Sequence, residues 1–142
     1  MNKFVSFEGI GYVAATFPVS STAQTYLKTE YTDPKTGNVD INGKKLAVKL
    51  NEDNTVGFGA ATATAADALL GIIIAYEMDG FASVQILGGI DDVPTKAEIK
   101  SGKRSLGVNN KGQIEVVADG GARDTVVAIG SGSDNLFASI IL

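Results

Sequence analysis

The fold is decided by residues 68–117, which read ALLGIIIAYEMDGFASVQILGGIDDVPTKAEIKSGKRSLGVNNKGQIEVV. The run Leu70–Tyr76 is rich in β-branched side chains and is typical of a mostly buried strand. A turn follows at Met78–Gly80, after which residues 81–87 (FASVQIL) alternate between apolar and polar side chains. Because a period of two places neighbouring side chains on opposite faces, this segment predicts a second strand with one buried face.

The second half of the stretch contains a helix pattern and a hairpin pattern. Thr95 and Glu98 have the spacing of a capping box, which predicts a helix of one or two turns beginning there and ending near residue 102. Residues 105–108 and 113–117 flank the tetrapeptide NNKG. Since Asn and Gly adopt positive φ at little cost, this arrangement predicts a β-hairpin.

The order of these elements resembles that of the small capsid decoration proteins, also called cement or head-stabilising proteins, of tailed bacteriophages. In that family an alternating V-x-V-x-G-I strand precedes a short helix, then x-G-x-x-L-x-V, then x-x-G-x-V. The matching segments of this chain are VQILGGI (84–90), AEIKSG (97–102), LGV (106–108) and KGQI (111–114). The likeness covers roughly the last two thirds of the chain, and it departs from the family pattern at Gly107 and at the second glycine, Gly89.

The resemblance implies a non-enzymatic structural protein of the virion. Members of the family bind the outer surface of the capsid, bridge major capsid protein subunits and stabilise the expanded head. They typically do so as homotrimers and without a cofactor. A phage tail or baseplate module, or a carbohydrate-binding β-barrel module, is the alternative; exposed aromatic platforms would favour it, although Trp is absent. A hydrolase that uses paired carboxylates is a third interpretation.

Length and composition predict one small all-β domain with one short helix, a β-barrel or β-tulip-like fold. The chain has 142 residues, which suits a single core. Its 17 glycines indicate many tight turns between short strands. Cys and His are both absent, which excludes disulfides, thiolate metal sites and a Ser-His-Asp triad. We therefore expect neither catalytic residues nor a bound metal.

Residues 1–40 differ in composition from residues 41–142, and we assign them to an extended arm, or to loosely paired strands, preceding the barrel-like core domain. The arm holds six of the ten aromatic residues and several turn-forming segments. Two interpretations stay open: the aromatic side chains complete the domain's own core, or some of them dock on a partner, where rigid rings bury a large area at small entropic cost.

Two groups of residues are candidates for protein contacts. The first group combines aromatic residues of the arm with residues of a basic segment, 96–111, which carries a local charge of about +4 and would orient the protein on an acidic partner. The members of this group are Phe4, Phe7, Tyr12, Phe17, Lys100, Lys103 and Arg104. The second is the apolar C-terminus, which must be buried within the sheet or between subunits; its members are Leu136, Phe137, Ile140 and Leu142.

Other patterns have simple structural explanations. The GIGYVA segment (9–14) matches a dinucleotide fingerprint by letter, but no long helix is predicted after it. The acidic pairs lack calcium-loop spacing and are expected to lie in turns, and Ser131 and Ser133 are expected in a hairpin loop. A net charge of −4 argues against nucleic-acid binding. Without a signal peptide or an apolar span, we expect synthesis in the host cytoplasm, no membrane association and a final location on the capsid exterior.

Overall fold

The computed structural model describes residues 11–77, 79–119, 123–129 and 136–142, and within these ranges the chain is mainly β. The strands are β1 (Val13–Pro18), β2 (Ala47–Leu50), β3 (Val56–Gly57), β4 (Gly71–Tyr76), β5 (Phe81–Leu87), β6 (Gly89–Pro94), β7 (Gly102–Val108), β8 (Ile114–Val116), β9 (Asp124–Ile129) and β10 (Phe137–Ile141). The helix α1 spans Ser21–Tyr31, and a single 3₁₀ turn spans Ala65–Asp67. The predicted small all-β class is confirmed.

The first sheet has the strand order β1-β5-β4-β2-β3 and curls into a half-barrel. Its ends approach each other because Val19, just after β1, forms a parallel bridge with Val56 of β3. The Ser20 amide donates to the Val56 carbonyl at 2.9 Å. The inner side of the curl packs on α1, whose Leu27 is completely buried with Val48 and Val84.

Residues 21–31 form a helix where an extended arm or loosely paired strands were expected, and this corrects that expectation. β1 is an antiparallel neighbour of β5, and α1 begins at an N-cap where the Ser20 hydroxyl accepts from the Ala23 amide at 3.2 Å. Ala23 and Leu27 are four residues apart, so they share one helix face and fill the curl of the sheet. The arm boundary at residue 40 therefore does not separate residues 13–31 from the packing of the first sheet.

The second sheet has the strand order β6-β10-β9-β7-β8 and is also strongly curled. A parallel bridge between Thr95, just after β6, and Ile114 of β8 brings its two ends together. The Lys96 amide donates to the Ile114 carbonyl at 3.0 Å. Leu106, Ile114 and Ile140 are fully buried members of its core.

The predicted helix at residues 95–102 is wrong. Residues 95–102 contain no helical turn. The Thr95 amide, which a capping box would pair with the Glu98 side chain, donates to the carbonyl of Leu136 instead. Ile99 is buried in the second core. A strand, β6, occupies the preceding residues, which the sequence analysis did not identify as a strand.

Two other predictions are confirmed. The β-branched run and the alternating run are β4 and β5, which pair with each other. The NNKG turn joins β7 to β8, with Gly112 at a φ of 73° and the Asn109 side-chain oxygen accepting from the amides of Lys111 and Gln113. Local sequence therefore determines this hairpin.

Direct hydrogen bonds join the two sheets. Arg123, just before β9, donates through one guanidinium nitrogen to the Leu70 carbonyl at 2.8 Å and through the other to the Ile86 carbonyl at 2.7 Å. The Ala47 amide donates to the Gly112 carbonyl at 2.8 Å. These bonds fix the position of the first sheet relative to the second sheet.

Candidate partner-binding surface

The side of the first sheet turned away from α1 is buried in the second core at Ala47 and Ile72, but it stays exposed at several residues of β1, β4 and β5. The three neighbouring strands β1 (VAATFP), β5 (FASVQIL) and β4 (GIIIAY) contain no charged residue. Because Ala82 and Val84 point inward to the helix, the alternate residues of β5 point outward. We call the part of this side that is not buried the outer face; its members are Val13, Ala14, Thr16, Ile74, Phe81, Ser83 and Leu87.

Large apolar side chains on the outer face are about half exposed. Val13 is 51% exposed, Leu87 48%, Ile74 46% and Phe81 42%. Val13 pairs in register with Leu87, so their side chains adjoin across the two strands. Single exposed apolar residues are ordinary, but an uncharged surface that continues across three strands is typical of an interaction site.

A pocket of about 220 Å³ lies at one margin of the outer face. Its walls are Tyr12, Lys45, Ile72, Ile74, Gln85, Gly89, Ile90 and Asp91. The Gln85 amide is fixed by bonds of 3.2 Å to the carbonyls of Leu87 and Gly89, and the Lys45 ammonium donates to the Asp91 carbonyl. The pocket is thus an apolar cleft with a few fixed polar groups, which is the usual composition of a binding pocket.

Two of the three described non-glycine residues with positive φ lie in or beside this pocket, and the third is Asn54. Lys45 has a φ of 48° and Asp92, beside the pocket residue Asp91, has a φ of 57°. Both values lie in the left-handed region that non-glycine residues seldom adopt. Such conformations persist where the surrounding structure holds them, often at functional sites.

The edge of β1 is open within the described residues. β1 is the first strand of its sheet, and its outer edge has no neighbour before the bridge at Val19. Open edges in natural proteins usually carry charges that prevent pairing with other chains, but β1 carries none. Among the described strands, none pairs with this edge, which adjoins the apolar side chains of the outer face.

The predicted aromatic contact residues occupy different environments. Tyr12 precedes β1 and is 62% exposed, in the pocket wall. Phe17 is half-buried and packs against the core around α1. Phe4 and Phe7 lie outside the described residues. The structure therefore places Tyr12 at the surface and Phe17 on its own core.

The predicted basic contact residues lie on the second sheet, apart from the outer face. The Lys103 ammonium is 3.3 Å from the Asp124 carboxylate, and both are exposed. A hydrogen bond from the Ser105 hydroxyl, followed by Lys103, lowers the pKa of Asp124. The Arg104 guanidinium donates to the carbonyls of Lys100 and Ser101, at 3.1 and 3.2 Å. Arg104 is thus partly engaged by its own turn.

The C-terminal candidates are mostly part of the domain's own sheet. β10 lies between β6 and β9, and Ile140 is fully buried in the second core, so Ile140 cannot line a subunit interface. Phe137 and Leu142 are half-buried. Leu136 is 39% exposed and remains at the surface. The assignment of Ile140 to an interface is corrected because a central strand buries its side chain.

The acidic side chains in three turns bind backbone amides of their own turns. The carboxylates of Asp33, Asp40 and Asp53 each accept a hydrogen bond from the backbone amide two residues later. Such contacts stabilise turns. Among the residues that the structure describes, no three His, Cys, Asp or Glu side chains are grouped to hold a metal ion.

The remaining sequence patterns do not form sites in the described ranges. Gly11 of the dinucleotide-like segment precedes β1 instead of joining a strand to a helix, as the fingerprint requires. Ser131 and Ser133 lie outside the described residues. No helix in the described part of the chain is long and apolar enough to cross a membrane.

Sequence reasoning singled out Tyr12 but missed the four large side chains Val13, Ile74, Phe81 and Leu87. The absence of charge from three strand segments was the available signal. Comparison with known proteins adds no family: no protein-family model matches the chain, and no curated protein matches it significantly.

Proposed function

We propose that this chain is a capsid decoration protein of a tailed bacteriophage. It binds the outside of the expanded head as a homotrimer, bridges major capsid protein subunits and stabilises the shell without catalysing a reaction. The resemblance of residues 84–114 to that family motivates the proposal. The observation that carries it is the uncharged, half-exposed outer face, which suits attachment to another protein.

The outer face offers a moderate binding free energy per copy. Fully burying one Val, Leu, Ile or Phe side chain is worth about 1.5–3 kcal/mol. Val13, Ile74, Phe81 and Leu87 are already about half buried, so each would contribute roughly half of that amount. Decoration adds many copies to one shell, and each copy binds only the assembled state. The small binding free energies of the copies therefore together raise the stability of the shell by mass action.

The basic segment has a separate role in this proposal. Lys103 is exposed on β7 and Lys100 just before it, whereas the outer face lies on the first sheet. Exposed charges outside the buried contact affect the association rate and the orientation more than the affinity. We therefore assign them to steering toward an acidic region of the capsid.

Sedimentation with phage heads tests the proposal. Purified protein is mixed with expanded heads that lack a decoration protein, and co-sedimentation and the melting temperature of the shell are measured. The proposal predicts saturable binding and a higher melting temperature. Failure to bind heads would contradict it, and binding to purified tails or baseplates instead would support the alternative module.

A further inference from the structure

A second surface feature surrounds Tyr76, the last residue of β4. Two grooves lie on either side of it, with volumes of about 290 and 330 Å³. They share Asn38, Val39 and Tyr76, so together they form one extended depression. None of these three residues belongs to the outer face or to its pocket.

The loop that forms one wall of the grooves is held in place by its backbone. Thr32 and Val39 form an antiparallel bridge. The Asp33 amide donates to the Asn38 carbonyl, and the Asp40 amide donates to the Tyr31 carbonyl, at 2.8 and 2.9 Å. A wall fixed in this way presents its side chains without a large ordering cost on binding.

The grooves combine an aromatic ring with polar groups that have no competing partners. Among the described residues, the side-chain amides of Asn38 and Asn42 make no hydrogen bond. Asp40 uses one carboxylate oxygen, Oδ1, to hold the Asn42 backbone amide. An amide is both donor and acceptor, and a carboxylate is an acceptor, so the set complements a ligand with several hydroxyl groups.

The charges around the grooves favour a neutral ligand. Lys28 lines the first groove, whereas Asp33 and Asp40 line the second. The two carboxylates would repel a phosphate or another anion. The polar rim disfavours a purely apolar ligand, since buried amides would lose their hydrogen bonds to water.

We propose that the grooves on both sides of Tyr76 bind a neutral oligosaccharide, with the apolar face of one sugar ring against the Tyr76 ring. The amides of Asn38 and Asn42 hydrogen-bond the sugar hydroxyls. This site goes beyond the proposed attachment to capsids, because it shares no residue with the outer face and can work whether or not the protein binds a head.

The test uses the full-length protein and a panel of neutral tri- and tetrasaccharides built from glucose, galactose, mannose and N-acetylglucosamine, screened on an array. The affinity of each sugar that binds is then measured by calorimetry for the wild type and for Asn38→Ala and Asn42→Ala, whose side chains are both exposed. Asn110→Ala, an exposed asparagine in the β7–β8 turn, is the matched control. Tyr76→Phe retains the ring that packs on the core, while Tyr76→Ala removes it.

The proposal predicts binding of at least one neutral oligosaccharide, a loss of at least tenfold in affinity for Asn38→Ala and Asn42→Ala, and no change for Asn110→Ala. Tyr76→Phe should retain binding. If Tyr76→Ala unfolds, the two asparagine variants still decide the outcome. No binding of any panel member at millimolar sugar, or equal binding by all folded variants, would overturn it. Sedimentation with heads is a separate assay, so failure here leaves the proposed function standing.

Discussion

Val13 of β1 and Leu87 of β5 lie directly opposite each other in the first sheet, yet both side chains are about half exposed, at 51% and 48%. A cross-strand apolar pair usually gains its stability by burial on one face of a sheet. In β5 it is Ala82 and Val84, on the opposite face, that are buried against α1. The outer pair is therefore available to a partner, and changing it should affect association more than folding.

Helix α1 is expected to be part of the folded domain instead of a detachable extension. Leu27 is completely buried between α1 and the curled sheet. Leu27→Ala should therefore lower the free energy of unfolding by about 2–5 kcal/mol, through lost burial and a cavity. Urea unfolding measures this change. Glu30→Ala, at an exposed position of the same helix, is the control and should change it by less than about 0.5 kcal/mol. Equal stability of the two variants would show that α1 does not contribute to the core.

The pairing of β4 with β5 should depend on a glycine that admits close backbone contact. A Cβ at Gly71 would lie 2.0 Å from the Gln85 carbonyl oxygen, whereas one at Gly11 would meet nothing within 4 Å. Gly71→Ala should therefore destabilise the domain by about 1–3 kcal/mol or more, because the two strands must separate. Gly11→Ala should leave the melting temperature nearly unchanged. A thermally neutral Gly71→Ala would contradict the strand register described above.

The buried carboxylate of Asp67 is expected to make stability depend on pH. Asp67 lies 2.9 Å from the Lys49 ammonium and accepts hydrogen bonds from the amides of Thr64 and Ala60. Burial alone would raise its pKa, but Lys49 and the two amides together lower the pKa below its ordinary value. The stabilisation is thus present above the unfolded pKa, near 3.9, and is lost as the pH falls through the lower folded pKa.

Asp67→Asn should lower the free energy of unfolding at pH 7 by about 1–3 kcal/mol. The difference from the wild type should shrink as the pH is lowered from 4 toward 2, because the wild-type carboxylate then becomes neutral as well. Urea midpoints across this range measure the effect. Glu52→Gln serves as the control, since the Glu52 side chain is exposed in the turn that follows β2. A difference that stays constant from pH 7 to pH 2 would exclude this explanation.

The elements that were predicted correctly from the sequence are those whose conformation depends on interactions between residues close together in the chain. The Ile72–Ile74 run, the alternation of β5 and the NNKG turn each specify one backbone state, and all three were predicted correctly. Helix α1 was missed because threonines interrupt its sequence and its amphipathic pattern is weak. It forms because the curled first sheet buries Leu27, an interaction between distant parts of the chain.

The false helix at residues 95–102 shows the opposite error. Thr95 and Glu98 have capping-box spacing, but the Thr95 amide is used by Leu136, which is 41 positions later in the chain. Likewise, alternation identified which residues of β5 share a face, but it could not identify the uncovered face. The exposure of Ile74 depends on the irregular pairing of β4 with β5 between Ile73 and Ala75, which no sequence period reveals.

The central claim is that the outer face attaches the protein to phage heads. Two valines with almost equal exposure allow a matched test: Val13 on the outer face is 51% exposed, and Val116 at the end of β8 in the second sheet is 52% exposed. Equilibrium binding to expanded heads should be measured by sedimentation for wild type, Val13→Lys and Val116→Lys, after thermal unfolding shows that all three are folded. The account predicts at least a tenfold loss of affinity for Val13→Lys, because a charge would be buried in an uncharged interface, and unchanged affinity for Val116→Lys. Equal binding of both lysine variants and the wild type would contradict it.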